Sequence, residues 1–353
     1  MNRFLLRWGA SLLLAGLTGA AAAQSVLRIS AAPDGRTPEQ QAEQFEPLGE
    51  YLSKRLKTRA QWVPFKTEAQ LSAALLARPG QTVHLPEMDA NCVMSQMAPA
   101  TRVDAVLTRL AASGRKIIPL AYVNTDLALK AVVGEFGGAV CTSANARIML
   151  RWALDQGDGV LFLPDRHLGN NTAEALGIGQ AERHVLRVGA AGLVQPETQA
   201  LDRKLLLWPG CCAIHARFEP DDVEAIRAQH PGCRVIAHPE CRQEVIEACD
   251  GAGSTSYLIK EAARVAAEAP GSTLVVGTEN NLVYRLAERH AGQCTIIPLG
   301  HAVCGNMAKV TGKKLLATLQ AVAAGAASPL QIEEKLCPPA RLSLTRMLEA
   351  CGN

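Results

Sequence analysis

Three cysteines stand in the same kind of place, just past an apolar run that reads as a strand. Cys92 closes LPEMDANC, Cys212 lies within LLLWPGCCAIH, and Cys304 within IIPLGHAVCGNM. If each comes from a different repeat of one fold, the strand ends can converge on a single point. Three thiolates meeting there suit a [4Fe-4S] cluster with one iron left without a protein ligand, able to act as a Lewis acid on a substrate oxygen. Spacing alone does not select this over the ordinary role of cysteine as a small buried hydrophobe. There are 11 cysteines, none in a C-x-x-C, so neither a zinc ribbon nor a thioredoxin-type site is indicated. An odd count in a long chain also argues against a disulfide framework.

Groups so far apart in sequence need a scaffold that returns them to one edge. The chain has 353 residues and is 48% hydrophobic but only 4% aromatic. A core of Ala, Val, Leu and Ile suits parallel sheets covered by helices. Three segments share an apolar strand, a polar turn and a helix: VHLPE at 83–87, VLFLPD at 160–165 and LVVGTE at 274–279. Two more pair a strand with a hydroxyl-rich helix start: Ile117–Asn124 leading to CTSAN at 141–145, and Arg234–Glu240 leading to GSTS at 253–256. The expected fold class is α/β, with pseudo-repeated small three-layer domains whose ligand-facing loops lie at the carboxyl ends of the strands. Net charge is +3 with no basic block, which makes nucleic acid a poor partner.

The N-terminus has a different character. Arg3 and Arg7, the apolar run Ala10–Leu17 and Ala21-Ala22-Ala23 form the pattern of a secretory leader over residues 1–24. Its apolar run is too short and too rich in Gly and Ala to span a membrane. Val26–Ser30 then reads as a strand, Phe45–Leu56 as an amphipathic helix, Val63–Phe65 as a second strand and Gln70–Ala77 as a second helix. The pattern LRIS-x-x-PD followed by FEPLGEYLSKRL resembles the start of periplasmic phosphonate-binding proteins of ABC transporters, over about residues 25–78. The domain division expected is 1–24 leader-like, 25–80 a binding-protein-like α/β fragment, and 81–353 the α/β repeats.

The words around the three cysteines carry a second resemblance. WPGCCAIH is similar to W-x-G-x-C-x-x-H, LPEMDANC to LPD-x-x-AGC, and CGNMAKVT to C-P-x-M-x-x-N/K-T, all of quinolinate synthases. Between them, in family order, stand Tyr122-Val123-Asn124, CTSANA at 141–146, LFLPDRHLG at 161–169, IAHPEC at 236–241, GSTSYLIK at 253–260 and VVGTEN at 275–280. From about residue 84 onward the chain resembles that family. The resemblance implies a three-fold pseudo-symmetric α/β protein with one [4Fe-4S] cluster ligated by Cys92, Cys212 and Cys304. Its activity would be the condensation of iminoaspartate with dihydroxyacetone phosphate to quinolinate, in pyridine nucleotide (NAD) biosynthesis. A cytoplasmic location, no membrane partner and a functional link to L-aspartate oxidase are also implied. Cys212 is preferred to Cys211 because it stands three residues before His215.

Polar residues then take roles beside the cluster. Tyr122 and Asn124 end a strand and would donate hydrogen bonds into the cleft. Ser143, at an expected helix start, and Ser254 with Thr255 would hold phosphate or carboxylate oxygens. His238 and Glu240 share one side of a strand end and would shuttle protons. Plainer readings exist: the hydroxyls as helix caps, His238 as a turn histidine, Asp165 and Glu279 as punctuation after strands. Cys141, Cys233, Cys241, Cys249, Cys294, Cys337 and Cys351 read as structural.

One part of the family pattern has no match. The first repeat normally brings an H-Y-Y-like strand end and a GDS-like serine, and neither word occurs before His84. A third of the ring is thus absent or replaced, which would leave the enzyme impaired. The alternatives are a periplasmic phosphonate-type binding protein, or an iron–sulfur relic without catalysis.

Overall fold

The computed structural model describes residues 12–16, 26–31, 37–56, 59–64, 82–189, 192–193 and 202–352. The chain divides into two compact units, one of residues 1–91 and 305–335, the other of residues 92–304 and 336–353.

In the first unit a four-stranded sheet has the order β3-β2-β1-β4, formed by β1 (Leu12–Gly16), β2 (Val26–Ala31), β3 (Arg59–Trp62) and β4 (Thr82–His84). β2 and β3 pair in parallel, while β1 runs antiparallel to both β2 and β4. Part of the leader-like apolar run, Leu12–Gly16, forms an inner strand of this sheet, and the rest of 1–24 lies outside the described residues. Helix α1 (Pro38–Leu56) begins well before the expected Phe45. The cause is a reciprocal cap: the Gln40 N–H donates to Thr37 Oγ1 at 3.2 Å and the Thr37 N–H to Gln40 Oε1 at 3.0 Å. Pro38 at the first helical position fits its fixed φ. Leu48 and Leu52 of α1 pack on Leu27 and Ile29 of β2 and on Leu315 and Leu319 of the helix Gly312–Ala323. β3 sits just upstream of the expected Val63–Phe65. The Val63 N–H still donates to Ile29 O at 2.9 Å, but Pro64 has no N–H with which to extend the ladder. Phe65 and the expected helix Gln70–Ala77 lie outside the described residues.

The second unit opens with the four-residue helix α2 (Val93–Gln96) and α3 (Ala100–Ala111). Alternating elements follow: β5 (Ile117–Tyr122), α4 (Leu127–Glu135), β6 (Ala139–Cys141), α5 (Ala146–Gln156), β7 (Gly159–Leu163) and α6 (Arg166–Glu174). Next come β8 (Arg183–Val185), the short hairpin β9 (Val188–Gly189) and β10 (Gly192–Leu193), and β11 (Leu205–Leu207). Beyond these are α7 (Pro220–Gln229), β12 (Arg234–Ala237), α8 (Gln243–Ala248), β13 (Gly251–Ala252) and α9 (Thr255–Glu268). β14 (Thr273–Gly277), α10 (Asn280–Arg289), β15 (Thr295–Pro298) and the C-terminal α11 (Cys337–Ala350) complete the unit.

Two wholly parallel sheets result, one ordered β6-β5-β7-β11-β8 and one β13-β12-β14-β15. Every residue of β5 and β7 is buried, as parallel strands covered on both faces require. The α/β class is as the strand–turn–helix words predict.

The C-terminal helix closes the first of these sheets. A Cβ on Gly134 of α4 would lie 1.9 Å from the Pro339 carbonyl oxygen of α11, so only glycine permits this approach. Arg346 of α11 donates from Nη1 to the carbonyls of Gly134 at 2.9 Å and Gly138 at 2.7 Å, satisfying the end of α4. Gly134→Ala is therefore expected to push the helices apart and cost about 1–3 kcal/mol, read as a lower midpoint in thermal or urea unfolding. An unchanged midpoint would show that this approach is not tight.

Candidate cluster and catalytic site

Because each sheet of the second unit is parallel, its strands end on one edge, and the predicted residues gather there. On the five-stranded sheet, Tyr122 ends β5 and is buried, while Asn124 beyond it is exposed. The Val123 N–H donates to Cys141 O at 2.8 Å, setting Ser143 on the adjacent strand end. Ser143 is not the helix start expected: α5 begins after Asn145, whose Oδ1 accepts from the Thr142 N–H at 2.6 Å. Half-buried Ser143 sits in the turn. Beneath this corner Lys130 is buried, its Nζ donating to Val123 O at 2.8 Å and also to the Thr125 carbonyl. Burial lowers the amine to about 8, against the pull of the Asp126 carboxylate.

β7 and β11 lead to Asp165 and to the WPGCC loop. Trp208 is buried and its indole N–H donates to Met97 O at 2.9 Å, tying this loop to the segment after Cys92. A side chain at Gly210 would meet Pro164 O at 2.6 Å, so the glycine of the word is needed for close approach. On the second sheet, the Gly253 N–H donates to Ala237 O at 3.0 Å, setting Ser254 beside His238 on neighbouring strand ends. Ser254 caps α9, accepting from the Tyr257 N–H at 3.3 Å, and Thr255 opens the helix. His238 and Glu240 lie past the end of β12, in the turn rather than on the strand.

The edges of the two sheets meet at a buried cluster of titratable groups. A Cys212 sulfur, a His215 ring nitrogen and a Glu240 carboxylate oxygen all lie within 4.8 Å of one another. His215 Nδ1 is 2.7 Å from Glu240 Oε2, its Nε2 is 3.0 Å from Thr278 Oγ1, and its ring stacks on His238 at 4.5 Å between centroids. The Nδ1 approach is off the line of a good hydrogen bond, so it is a charge contact first. Burial works against a charged His215, but its close contacts with Cys212 and Glu240 outweigh it and raise its pKa to about 10. His238 goes the other way, to about 3, through burial and then the neighbouring His215 charge. Burial pushes Glu240 up, yet His215 and His238 pull harder and leave it below the ordinary carboxylate range. The result is an ionised His215–Glu240 pair beside a neutral His238.

Cys92 and Cys304 are not in that group of three; burial raises the Cys92 thiol, the N–H groups of Ser95 and Met94 lower it, and the charges of Cys212 and Glu240 raise it further. Cys304 lies beyond β15, and its N–H donates to Glu279 Oε1 at 3.3 Å, one residue from the Thr278 that touches His215. Asn306 Nδ2 donates to Asn91 O at 2.7 Å, so the chain just before Cys92 and just after Cys304 is pinned together. Burial raises the half-buried Cys211 thiol, with the Arg166 charge pulling it down, and Cys211 is not in that group of three. All eleven cysteines are free.

Does this arrangement fit a metal group? Glu240 Oε1 is buried with no hydrogen-bond partner in the protein, the mark of a polar atom aimed at something outside the chain. Cysteine thiolates are the soft donors that iron–sulfur chemistry uses, whereas the Glu240 oxygen is a hard donor better suited to a substrate proton. The cysteines fit a metal cluster.

A family profile described as "Quinolinate synthetase A protein" matches residues 63–349. The chain belongs to the quinolinate synthase family. A quinolinate synthase of Acidobacterium capsulatum is 39% identical over 295 residues, covering 80% of this chain and 76% of that protein. Those of Corynebacterium glutamicum and Halobacterium salinarum are 38% and 39% identical, covering 78% and 79% of this chain and 71% and 74% of theirs. The family match opens at Val63, inside the stretch that reads as binding-protein-like, and the phosphonate-binding alternative is not favoured. Among the described residues no helix is long and apolar enough to cross a membrane.

Three residues outside the expected set reach the site: His215 beside Cys212 and Glu240, and Asp165 and Glu279 on the N–H groups of Cys212 and Cys304. The word W-x-G-x-C-x-x-H already contained His215. The two acids stood in LFLPDRHLG and VVGTEN with no role attached.

Proposed function

We propose that this member of the quinolinate synthase family condenses iminoaspartate with dihydroxyacetone phosphate to quinolinate, with a [4Fe-4S] cluster held by Cys92, Cys212 and Cys304. The observation that carries the reading is the unpartnered Glu240 Oε1, buried among Cys212, His215 and His238 where two sheet edges meet. When bound, the cluster supplies an iron without a protein ligand, which polarises a substrate oxygen.

The chain's own groups do the rest. Glu240 Oε1 faces the substrate side and takes protons from, and returns them to, the condensing carbons and oxygens. His215 holds the carboxylate ionised and fixed, and neutral His238 lends a hydrogen bond. Tyr122 and Asn124 orient a carboxylate or carbonyl, with Ser143 on the next strand end. Ser254, Thr255 and the free N–H groups at the start of α9 receive the phosphate. The first-repeat words are missing, so the residual question is rate.

Location in a reducing cytoplasm suits eleven free cysteines. A functional link to L-aspartate oxidase follows, since an unstable imine must be made close by.

The test is to purify the whole chain anaerobically, because Leu12–Gly16 is a strand of the sheet, and assay iron, sulfide and quinolinate together. About four irons with turnover is the expected result. Iron without turnover would favour the relic, and no iron would sink the cluster reading.

A further inference from the structure

Two strand-end acids that read as punctuation have the same unusual use. Asp165 stands two residues past β7, is fully buried at 0% exposure, and caps α6: Oδ1 accepts from the N–H groups of His167 at 2.8 Å and Leu168 at 2.9 Å. Its other oxygen, Oδ2, accepts from the backbone N–H of Cys212 at 2.8 Å. Cys212 follows β11, the strand paired in parallel with β7. Glu279 stands two residues past β14 and caps α10, Oε2 accepting from the Asn281 N–H at 2.8 Å. Its Oε1 accepts from Asn281 Nδ2 at 2.8 Å and from the backbone N–H of Cys304 at 3.3 Å. Cys304 follows β15, the strand paired in parallel with β14.

The two arrangements agree in every part: strand, acid, helix cap, and the N–H of a cysteine after the neighbouring strand. A helix cap alone needs one oxygen, and Ser or Thr supplies it at no burial cost. Burying a carboxylate is expensive unless both oxygens are used, and here the second oxygen is used on the cysteine loop. We propose that Asp165 and Glu279 are positioning residues for the cluster, each fixing the backbone of one ligating cysteine to the end of the adjacent strand.

This inference rests on the cluster reading above. The physical reason for such a device is that long WPGCC and LGHAVC loops leave a thiolate free to wander, whereas an N–H anchored to a buried carboxylate sets where Cβ points. Groups that orient ligands in this way typically change metal retention by about 10–100-fold when removed.

Asp165→Ser keeps an oxygen for the α6 cap but cannot reach Cys212, and Glu279→Ser does the same for Cys304. Asp165→Asn is a milder second variant: an amide has one acceptor where two are used, so either the cap or the Cys212 N–H faces an NH2 group. Asp126→Ser is the control, because Asp126 caps α4 through the Leu129 N–H at 2.7 Å and bonds no cysteine. The anaerobically purified chains are challenged with an iron chelator, and loss of the cluster is followed by absorption with the EPR spectrum of the reduced form.

Expected are iron loss at least about tenfold faster and an altered EPR signal in the Asp165 and Glu279 variants, with Asp126→Ser like the parent. Should Asp165→Ser fail to fold, Asp165→Asn and Glu279→Ser still decide the matter. Parent-like retention and spectrum in those variants would overturn the proposal, as would equal acceleration in Asp126→Ser. A parent chain that binds no iron would instead defeat the cluster reading on which it stands.

Discussion

Glu240→Gln is expected to lower quinolinate formation by about 10²–10⁴-fold while leaving the iron content of the chain unchanged. The replacement is nearly isosteric, so the turn after β12 keeps its shape. What it removes is the negative charge that holds His215 protonated at 2.7 Å, and it turns one of the two acceptor oxygens into an NH2 donor that cannot take a proton. Breaking a buried ion pair by deleting one charge can cost 3–5 kcal/mol, but here His215 can lose its proton and so escape most of that penalty. The melting midpoint should therefore fall only modestly. Glu240→Asp should recover part of the activity, because the charge returns but its oxygens stop short of the substrate. Full activity in Glu240→Gln would remove Glu240 from proton transfer, and loss of iron in the same variant would instead make it part of the metal site.

The second large effect concerns two adjacent thiols. Cys212→Ser should abolish bound iron and activity together, whereas Cys211→Ser should keep both. Serine is a hard oxygen donor and a poor substitute for thiolate at iron. Cys212 sits within 4.8 Å of a His215 nitrogen and a Glu240 oxygen, its N–H is held by Asp165 and its charge acts on Cys92. Cys211 is half-buried and is not in this group. Iron analysis and the visible absorption of each variant decide between them. If Cys211→Ser loses iron and Cys212→Ser keeps it, the register of the loop is displaced by one residue from the geometry described.

The missing first-repeat words bear on both experiments. Tyr122, Asn124, Ser143, Ser254 and Thr255 still offer hydrogen bonds around the substrate position, so binding should survive better than rate. The apolar run of Leu12–Gly16 pairs with β2 and β4.

Local sequence determined the elements and the soft-metal chemistry. Parallel strands announced themselves as VLFLP and LVVG runs because both faces are buried, and the three cysteine words named the candidate ligands. Trp208 and Gly210 were legible as motif letters, without a reason attached. The reasons are an indole N–H on Met97 and a close approach to Pro164, both far away in the chain. Capping was read poorly: Thr37 and Gln40 start α1 early, and Asn145 rather than Ser143 begins α5. Tertiary structure alone decided the state of each charge. Nothing in WPGCCAIH or IAHPEC says that His215 will be cationic and His238 neutral, since that depends on which buried ring lies 2.7 Å from Glu240. Nor could sequence show that Asp165 and Glu279 reach across to cysteines one strand over. Propensity and periodicity act along the chain, but burial, charge and hydrogen bonding act through space, and this site is made by contacts between strand ends.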